Sequence, residues 1–136
     1  MTAYQPLVFA ADDDPMQLAL VEQTLLGMGY RVRTAGDGPS ALATMKACKP
    51  DLIVLDIRMP GLTGLDLLRE IRDSDWGRST PVLMMTGQGR VDRLVMARNA
   101  GATDYLLKPF PVERFEQRVL ALLDPLDAWS RLSAVA

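Results

Sequence analysis

Asp12 and Asp13 follow the run LVFAA, Asp56 follows LIVL, Thr86 closes PVLMM, and Lys108 follows DYLL. Each of these polar residues stands where an apolar stretch ends. In an α/β protein the carboxyl ends of parallel strands line the ligand crevice, so the five predict one acidic pocket holding a single ammonium and a single hydroxyl. Mg²⁺ takes oxygen ligands in octahedral geometry and is usually held by one or two carboxylates together with phosphate oxygens. Asp12 or Asp13, Asp56 and a nearby backbone carbonyl could supply that set. Behind four apolar residues, the carboxylate of Asp56 would be costly to desolvate unless a metal or a lysine compensates it. Lys108, ending the fifth apolar run, could bring its ammonium to Asp56 across the sheet edge, and Thr86, followed by Gly87, could donate its hydroxyl to a phosphoryl oxygen. The chemistry expected is nucleophilic: Asp56 takes a phosphoryl group as an aspartyl phosphate while Mg²⁺ and Lys108 offset the charge.

Each residue also has a plainer use. Acids at the start of a helix cap it, an Asp at a strand end makes turns, lysines are mostly solvated, and threonine is at home in a strand. Capping accounts for one acid of the DDD triplet, Asp14, and leaves the other two. Four unrelated explanations at four strand ends are a poorer account than one pocket.

Apolar runs alternate with amphipathic stretches in five strand-then-helix repeats. The strands read as LVFAA from Leu7, RVRTA from Arg31, LIVLD from Leu52, PVLMMT from Pro81 and DYLL from Asp104. Non-alternating runs such as 52–55 suit central strands covered on both faces. Asp14 as N-cap and Pro15 at the first position open the first helix, Gly27 and Gly29 end it, and Leu18, Val21, Leu25 and Leu26 form its expected buried stripe. The second follows Asp37, Gly38 and Pro39 through Ala41, Leu42 and Met45 to a break at Lys49 and Pro50. The third begins after Gly64 and carries Leu67, Leu68 and Ile71. The fourth spans about 91–99 before Gly101, and the fifth follows Pro111 and buries Phe115, Val119 and Leu122. Right-handed crossovers between parallel strands then place helices on both faces. The fold class is α/β: a doubly wound, five-stranded parallel sheet with five helices in a flavodoxin-like three-layer sandwich.

With 136 residues and a formal net charge of −2, the chain suits one domain. No basic block collects nucleic acid or an anionic bilayer, so direct nucleic-acid and membrane contact are not expected. Histidine is absent, which removes His-based triads, most transition-metal sites and any phosphohistidine carrier role. A lone Cys48 and the lack of a charged-then-apolar leader point to the cytoplasm.

The segments LVFAADDDP, PDLIVLDIRMPGLTG, PVLMMTG and GATDYLLKPF, in that order, resemble the receiver domain of two-component response regulators over roughly residues 6–123. The resemblance implies that Asp56 accepts a phosphoryl group from a sensor histidine kinase or histidine phosphotransfer protein. It makes Asp12 and Asp13 the metal-binding acids and the main-chain carbonyl of Arg58 the third protein ligand. Thr86 becomes the switch hydroxyl, Lys108 the partner of the phosphoryl oxygens, and Tyr105 the aromatic that turns inward as Thr86 moves; the Lys108–Pro109 bond would be cis. Output would pass through the surface of the fourth helix, fifth strand and fifth helix to a downstream effector domain or protein. A homodimer could use the same face, for which Asp104 and Arg118 fit the family's charged set while Glu113 and Arg114 stand in reverse order. Arg58 and Gln88 occupy positions that tune hydrolysis of the phosphoryl group. The protein would be a signalling phosphoacceptor that assists its own phosphorylation and dephosphorylation, not an enzyme acting on external substrates.

Residues 1–123 are thus read as the receiver domain. The tail 124–136 has Leu126, Trp129 and Leu132 at roughly helical spacing and is read as a short helix or the start of a linker. A flavin binder would need a Ser/Thr/Gly-rich phosphate loop where ADDDP stands, and an Asp-dependent phosphatase would need a second Asp where Arg58 stands. A degenerate receiver serving as a phosphorylation-independent scaffold is the remaining alternative, against which the complete set of five residues stands.

Overall fold

A computed structural model describes residues 5–87 and 91–123. Five parallel strands, β1 (Leu7–Ala11), β2 (Arg31–Ala35), β3 (Leu52–Asp56), β4 (Val82–Thr86) and β5 (Asp104–Leu107), lie in the order β2-β1-β3-β4-β5. Between and after them run α1 (Pro15–Gly27), α2 (Gly38–Cys48), α3 (Gly64–Asp73), α4 (Val91–Asn99) and α5 (Val112–Leu123). This is the expected doubly wound, flavodoxin-like arrangement.

Alternation along the strands divides the interior in two, because successive side chains point to opposite faces. Phe9, Ala11, Ile53, Leu55, Val82 and Met84 meet Ala41 and Met45 of α2, Leu67, Leu68 and Ile71 of α3 and Ala97 of α4. Val8, Ala10, Leu52, Val54, Leu83 and Met85 meet Val21 and Leu25 of α1 and Phe115 and Val119 of α5. β1, β3 and β4 are buried along their whole length, as their unbroken apolar runs require.

Local signals set the helix ends. The Asp14 side chain accepts from the Met16 N–H at 3.0 Å, and the Asp37 side chain accepts from the Ser40 N–H at 2.8 Å. Thr63 and Asp66 form a reciprocal capping box at the start of α3. Gly29 and Gly101 turn the chain after α1 and α4 at φ of 93° and 105°, where a side chain would be strained.

Three expectations are corrected. Leu26 is 49% exposed, and the buried line of α1 runs through Val21 and Leu25 with Leu18 half-buried beside it. One residue advances a helix by about 100°, which carries Leu26 off the line that Leu25 occupies. β4 begins at Val82, since Pro81 has no N–H for the ladder; its carbonyl still accepts from Ile53 N at 3.0 Å. Leu122, expected buried, is half-buried. Gln88 and the tail positions Leu126, Trp129 and Leu132 lie outside the described residues. No helix among the described residues is long and apolar enough to cross a membrane.

Candidate functional site

Strand register aligns the candidate residues in one row. Ala11 pairs with Leu55, so Asp12 emerges beside Asp56; Asp56 pairs with Met85, and Thr86 with Leu107, one residue before Lys108. β1 and β3 are neighbours although α1 packs on one face of the sheet and α3 on the other. Their carboxyl ends therefore open into the crevice where the strand order reverses, the usual ligand position in open α/β sheets.

Within this row the acids converge. Ligand oxygens of Asp12, Asp13 and Asp56 all lie within 4.8 Å of one another. Asp12 and Asp56 are buried at 1% and 6% exposure, while Asp13 faces solvent. The Asp14 N–H donates to Asp12 Oδ1 at 3.0 Å and fixes that carboxylate against the turn. Arg58 N lies 3.4 Å from Asp56 Oδ1, so the Arg58 backbone reaches the cluster through its nitrogen while its side chain is exposed. Lys108 reaches in from the far end of the row, its peptide bond to Pro109 being cis. Its ammonium donates to Asp12 Oδ2 at 2.7 Å and stands 3.4 Å from Asp56 Oδ2. The expectation that Lys108 meets Asp56 thus holds, but Asp12 is its closer partner.

Electrostatics in the pocket are unbalanced. Burial pushes the Asp56 carboxyl up to about 6, the negative charge of Asp12 adds to the rise, and Lys108 opposes it. For Lys108, burial works to lower its affinity for a proton, but the hydrogen bond to Asp12 and the charges of Asp56 and Asp12 win and hold it above the ordinary lysine value. Three carboxylates face one ammonium, leaving room for positive charge of a kind that hard oxygen donors prefer. The donor set fits Mg²⁺ rather than a thiolate- or imidazole-seeking metal.

Thr86 is 1% exposed, and its Oγ1 is buried with no hydrogen-bond partner among the described residues. Such orphaned hydroxyls are uncommon and mark a place where a ligand or a rearrangement completes the bonding. Tyr105, one strand over, is 43% exposed and borders a surface hollow of about 120 Å³ with Leu94, Val95 and Arg98. Arg118 NH1 holds the carboxylate of Asp104 at 2.7 and 2.8 Å.

Three contributors escaped sequence reasoning. The primacy of Asp12 for Lys108 depends on a 96-residue separation that only the fold closes. A Cβ at Gly64 would overlap the carbonyl of Asp56, and one at Gly38 would overlap the backbone of Leu62 in the loop that follows; the glycines in DG and LTG were legible as punctuation but not as contacts. Arg72 donates to the carbonyls of Gly77 and Thr80, both at 2.7 Å, and of Gly101 at 2.9 Å, tying the C-terminal end of α3 to the two loops leading to β4 and β5.

Comparison with known proteins places these features. The chain is 42% identical over 118 residues to the transcriptional regulatory protein PrrA of Mycobacterium tuberculosis, a match covering 87% of this chain and 50% of PrrA. It is similar in structure to the chemotaxis response regulator CheY4 of Vibrio cholerae, with a TM-score of 0.83 at 32% identity, covering 88% of this chain and 100% of CheY4. It is also similar to the receiver domain of sensor histidine kinase PA1611 from Pseudomonas aeruginosa, a crystal structure with magnesium coordinated in the active-site cleft, with a TM-score of 0.81 at 28% identity over 88% of this chain and 98% of that one. The chain spans about half the length of the curated relatives it matches. The response regulator receiver domain matches residues 8–120, and this protein belongs to that family of two-component signalling domains.

Proposed function

We propose that this receiver is a phosphorylation-dependent switch whose acceptor is Asp56. The observation that carries the reading is the row Asp12–Lys108–Asp56, with both carboxylates buried, beside the buried hydroxyl of Thr86, which bonds to nothing among the described residues. A carboxylate kept this dry is a better nucleophile than one in water, provided positive charge meets the incoming phosphoryl oxygens. One Asp56 oxygen attacks phosphorus as the bond from phosphorus to the donor's imidazole nitrogen breaks, and the imidazole leaves with the electron pair. Lys108, already between two carboxylates, lies where it can follow the new phosphoryl oxygens. Asp12, Asp13, Asp56 and the carbonyl of Arg58 would hold Mg²⁺, which when bound supplies charge neutralisation of the phosphoryl group. The magnesium in the PA1611 receiver supports this assignment by similarity. The hydroxyl of Thr86 then gains an acceptor, and Tyr105 moves from its exposed position into the space beside it.

The donor is a sensor histidine kinase or a histidine phosphotransfer protein, which places the exchange in the cytoplasm. The output surface comprises α4, β5 and α5, where Val95, Met96, Tyr105, Leu107 and Val112 are exposed. It addresses a downstream effector domain or protein. PrrA is a transcriptional regulatory protein of twice the matched length; by that analogy any DNA contact belongs to another domain, and the receiver itself touches no nucleic acid. A homodimer could use the same face, where Arg118 bonds Asp104 of its own chain at 2.7 Å.

The test is incubation with Mg²⁺ and acetyl phosphate followed by intact mass measurement. A single phosphoryl adduct that vanishes in Asp56→Asn is expected; an adduct of equal yield in that variant overturns the assignment.

A further inference from the structure

The loop between Asp56 and α3 is pinned from the side by the N-terminal end of α2. The Gly38 N–H donates to the carbonyl of Pro60 at 3.2 Å. A Cβ at Gly38 would overlap the carbonyl oxygen and the Cβ of Leu62 and lie 2.6 Å from the Leu62 nitrogen. Two of those three atoms are backbone, so no rotamer change relieves the overlap. On the other side of the same contact Gly61 holds φ at +83°, and a Cβ there would lie 2.8 Å from Cδ of Pro39. Beyond it, Gly64 N donates to the Ile57 carbonyl at 2.8 Å, and a Cβ at Gly64 would lie 2.9 Å from Ile57 Cα. Met59, at 6% exposure, and the half-buried Leu62 anchor the loop in the core beneath.

We infer that Gly38 is a positioning residue for the metal site: by allowing α2 to seat against Pro60 and Leu62, it sets where the Arg58 main chain stands relative to Asp56 and Asp12. This rests on the proposed function, in which the Arg58 carbonyl is a Mg²⁺ ligand. Arg58 lies between two fixed points, Asp56 at the strand end and the 60–62 segment under Gly38, so displacing the second point tilts the peptide that carries its carbonyl. Mg²⁺ tolerates little departure from octahedral geometry, and disturbing the residues that orient its ligands costs affinity steeply.

The experiment is Mg²⁺ titration of the whole chain followed by amide NMR, with unfolding monitored in parallel. Gly38→Ala is expected to raise the Mg²⁺ Kd by about tenfold while the protein still unfolds cooperatively. Gly27→Ala, where an added Cβ meets nothing within 4 Å, is expected to leave the Kd unchanged. Should Gly38→Ala fail to fold, Pro39→Ala replaces it, since it only loosens the Gly61 contact; its Kd is expected to rise by roughly twofold to threefold. A wild-type Kd in folded Gly38→Ala, or in Pro39→Ala where that variant stands in, overturns the inference, as does an equal rise in Gly27→Ala. Absence of Mg²⁺ binding by the unsubstituted protein overturns the metal assignment itself, which separates the two failures.

Discussion

Lys108 bonds to Asp12 at 2.7 Å across 96 residues of sequence, joining the last strand of the row to the first. The ammonium is thereby held in place before any phosphoryl group arrives, at the cost of sitting among partly dry carboxylates. Removing the ammonium leaves both carboxylates uncompensated.

Lys108→Met should therefore weaken the fold at neutral pH by roughly 2–4 kcal/mol, in addition to slowing phosphorylation. Urea unfolding at pH 7 without metal checks the first effect. A variant as stable as the parent would show that Asp12 and Asp56 need no counter-charge.

Asp56 gives a pH dependence whose sign follows from its raised value. The folded protein binds this proton more tightly than the unfolded chain, for which the ordinary value is 3.8 and the folded value about 6. Its ionisation thus costs nothing below the ordinary value. The penalty grows as pH rises from about 4 to about 6 and is complete above it, about 3 kcal/mol. Metal-free protein should lose stability from this group over that window, whereas Asp56→Asn should flatten the profile and be the more stable protein at pH 7.5. Mg²⁺ should narrow the gap. Denaturant midpoints in chelator between pH 4 and 8 measure all three, and an Asn variant less stable at pH 7.5 contradicts the account.

Thr86→Val removes a buried hydroxyl that bonds to nothing among the described residues. Apolar replacement of such a group should leave stability unchanged or raise it by up to about 1 kcal/mol. The same change should abolish the effect of beryllofluoride on the amide spectrum of α4 and β5. Thr86→Ser should keep that response.

Arg72 ties three carbonyls from two loops to the end of α3, and burial lowers its pKa below the ordinary arginine value. Arg72→Met should cost about 2–3 kcal/mol by taking a charged donor from all three carbonyls, those of Thr80 and Gly101 above all. Amide hydrogen exchange at 101–103 should accelerate more than exchange in β1. Equal acceleration in both would make Arg72 a general contributor with no local tie.

Features that repeat along the chain were legible in the sequence. Strand ends at Ala11, Asp56, Thr86 and Leu107, the cap at Asp14, and stops at Gly29 and Gly101 all follow from local steric and hydrogen-bonding rules that act within a few residues. The acid row was legible because register in a parallel sheet turns strand ends into neighbours. What stayed hidden depends on the distance between elements. The closer claim of Asp12 on Lys108, the outward turn of Leu26 and the contact between Gly38 and Leu62 are set by how helices seat on the sheet, which no local pattern encodes.

Arg58 presents two unlike parts to the fold: a backbone drawn to Asp56 and a side chain left in solvent. Its side chain can be exchanged without disturbing the interior, while its main chain stays tied to Asp56. Under the proposed function, exchanging this side chain should change how long a phosphoryl group lasts on Asp56 while leaving the durability of the fold alone, so that a clock could be reset here without rebuilding its case.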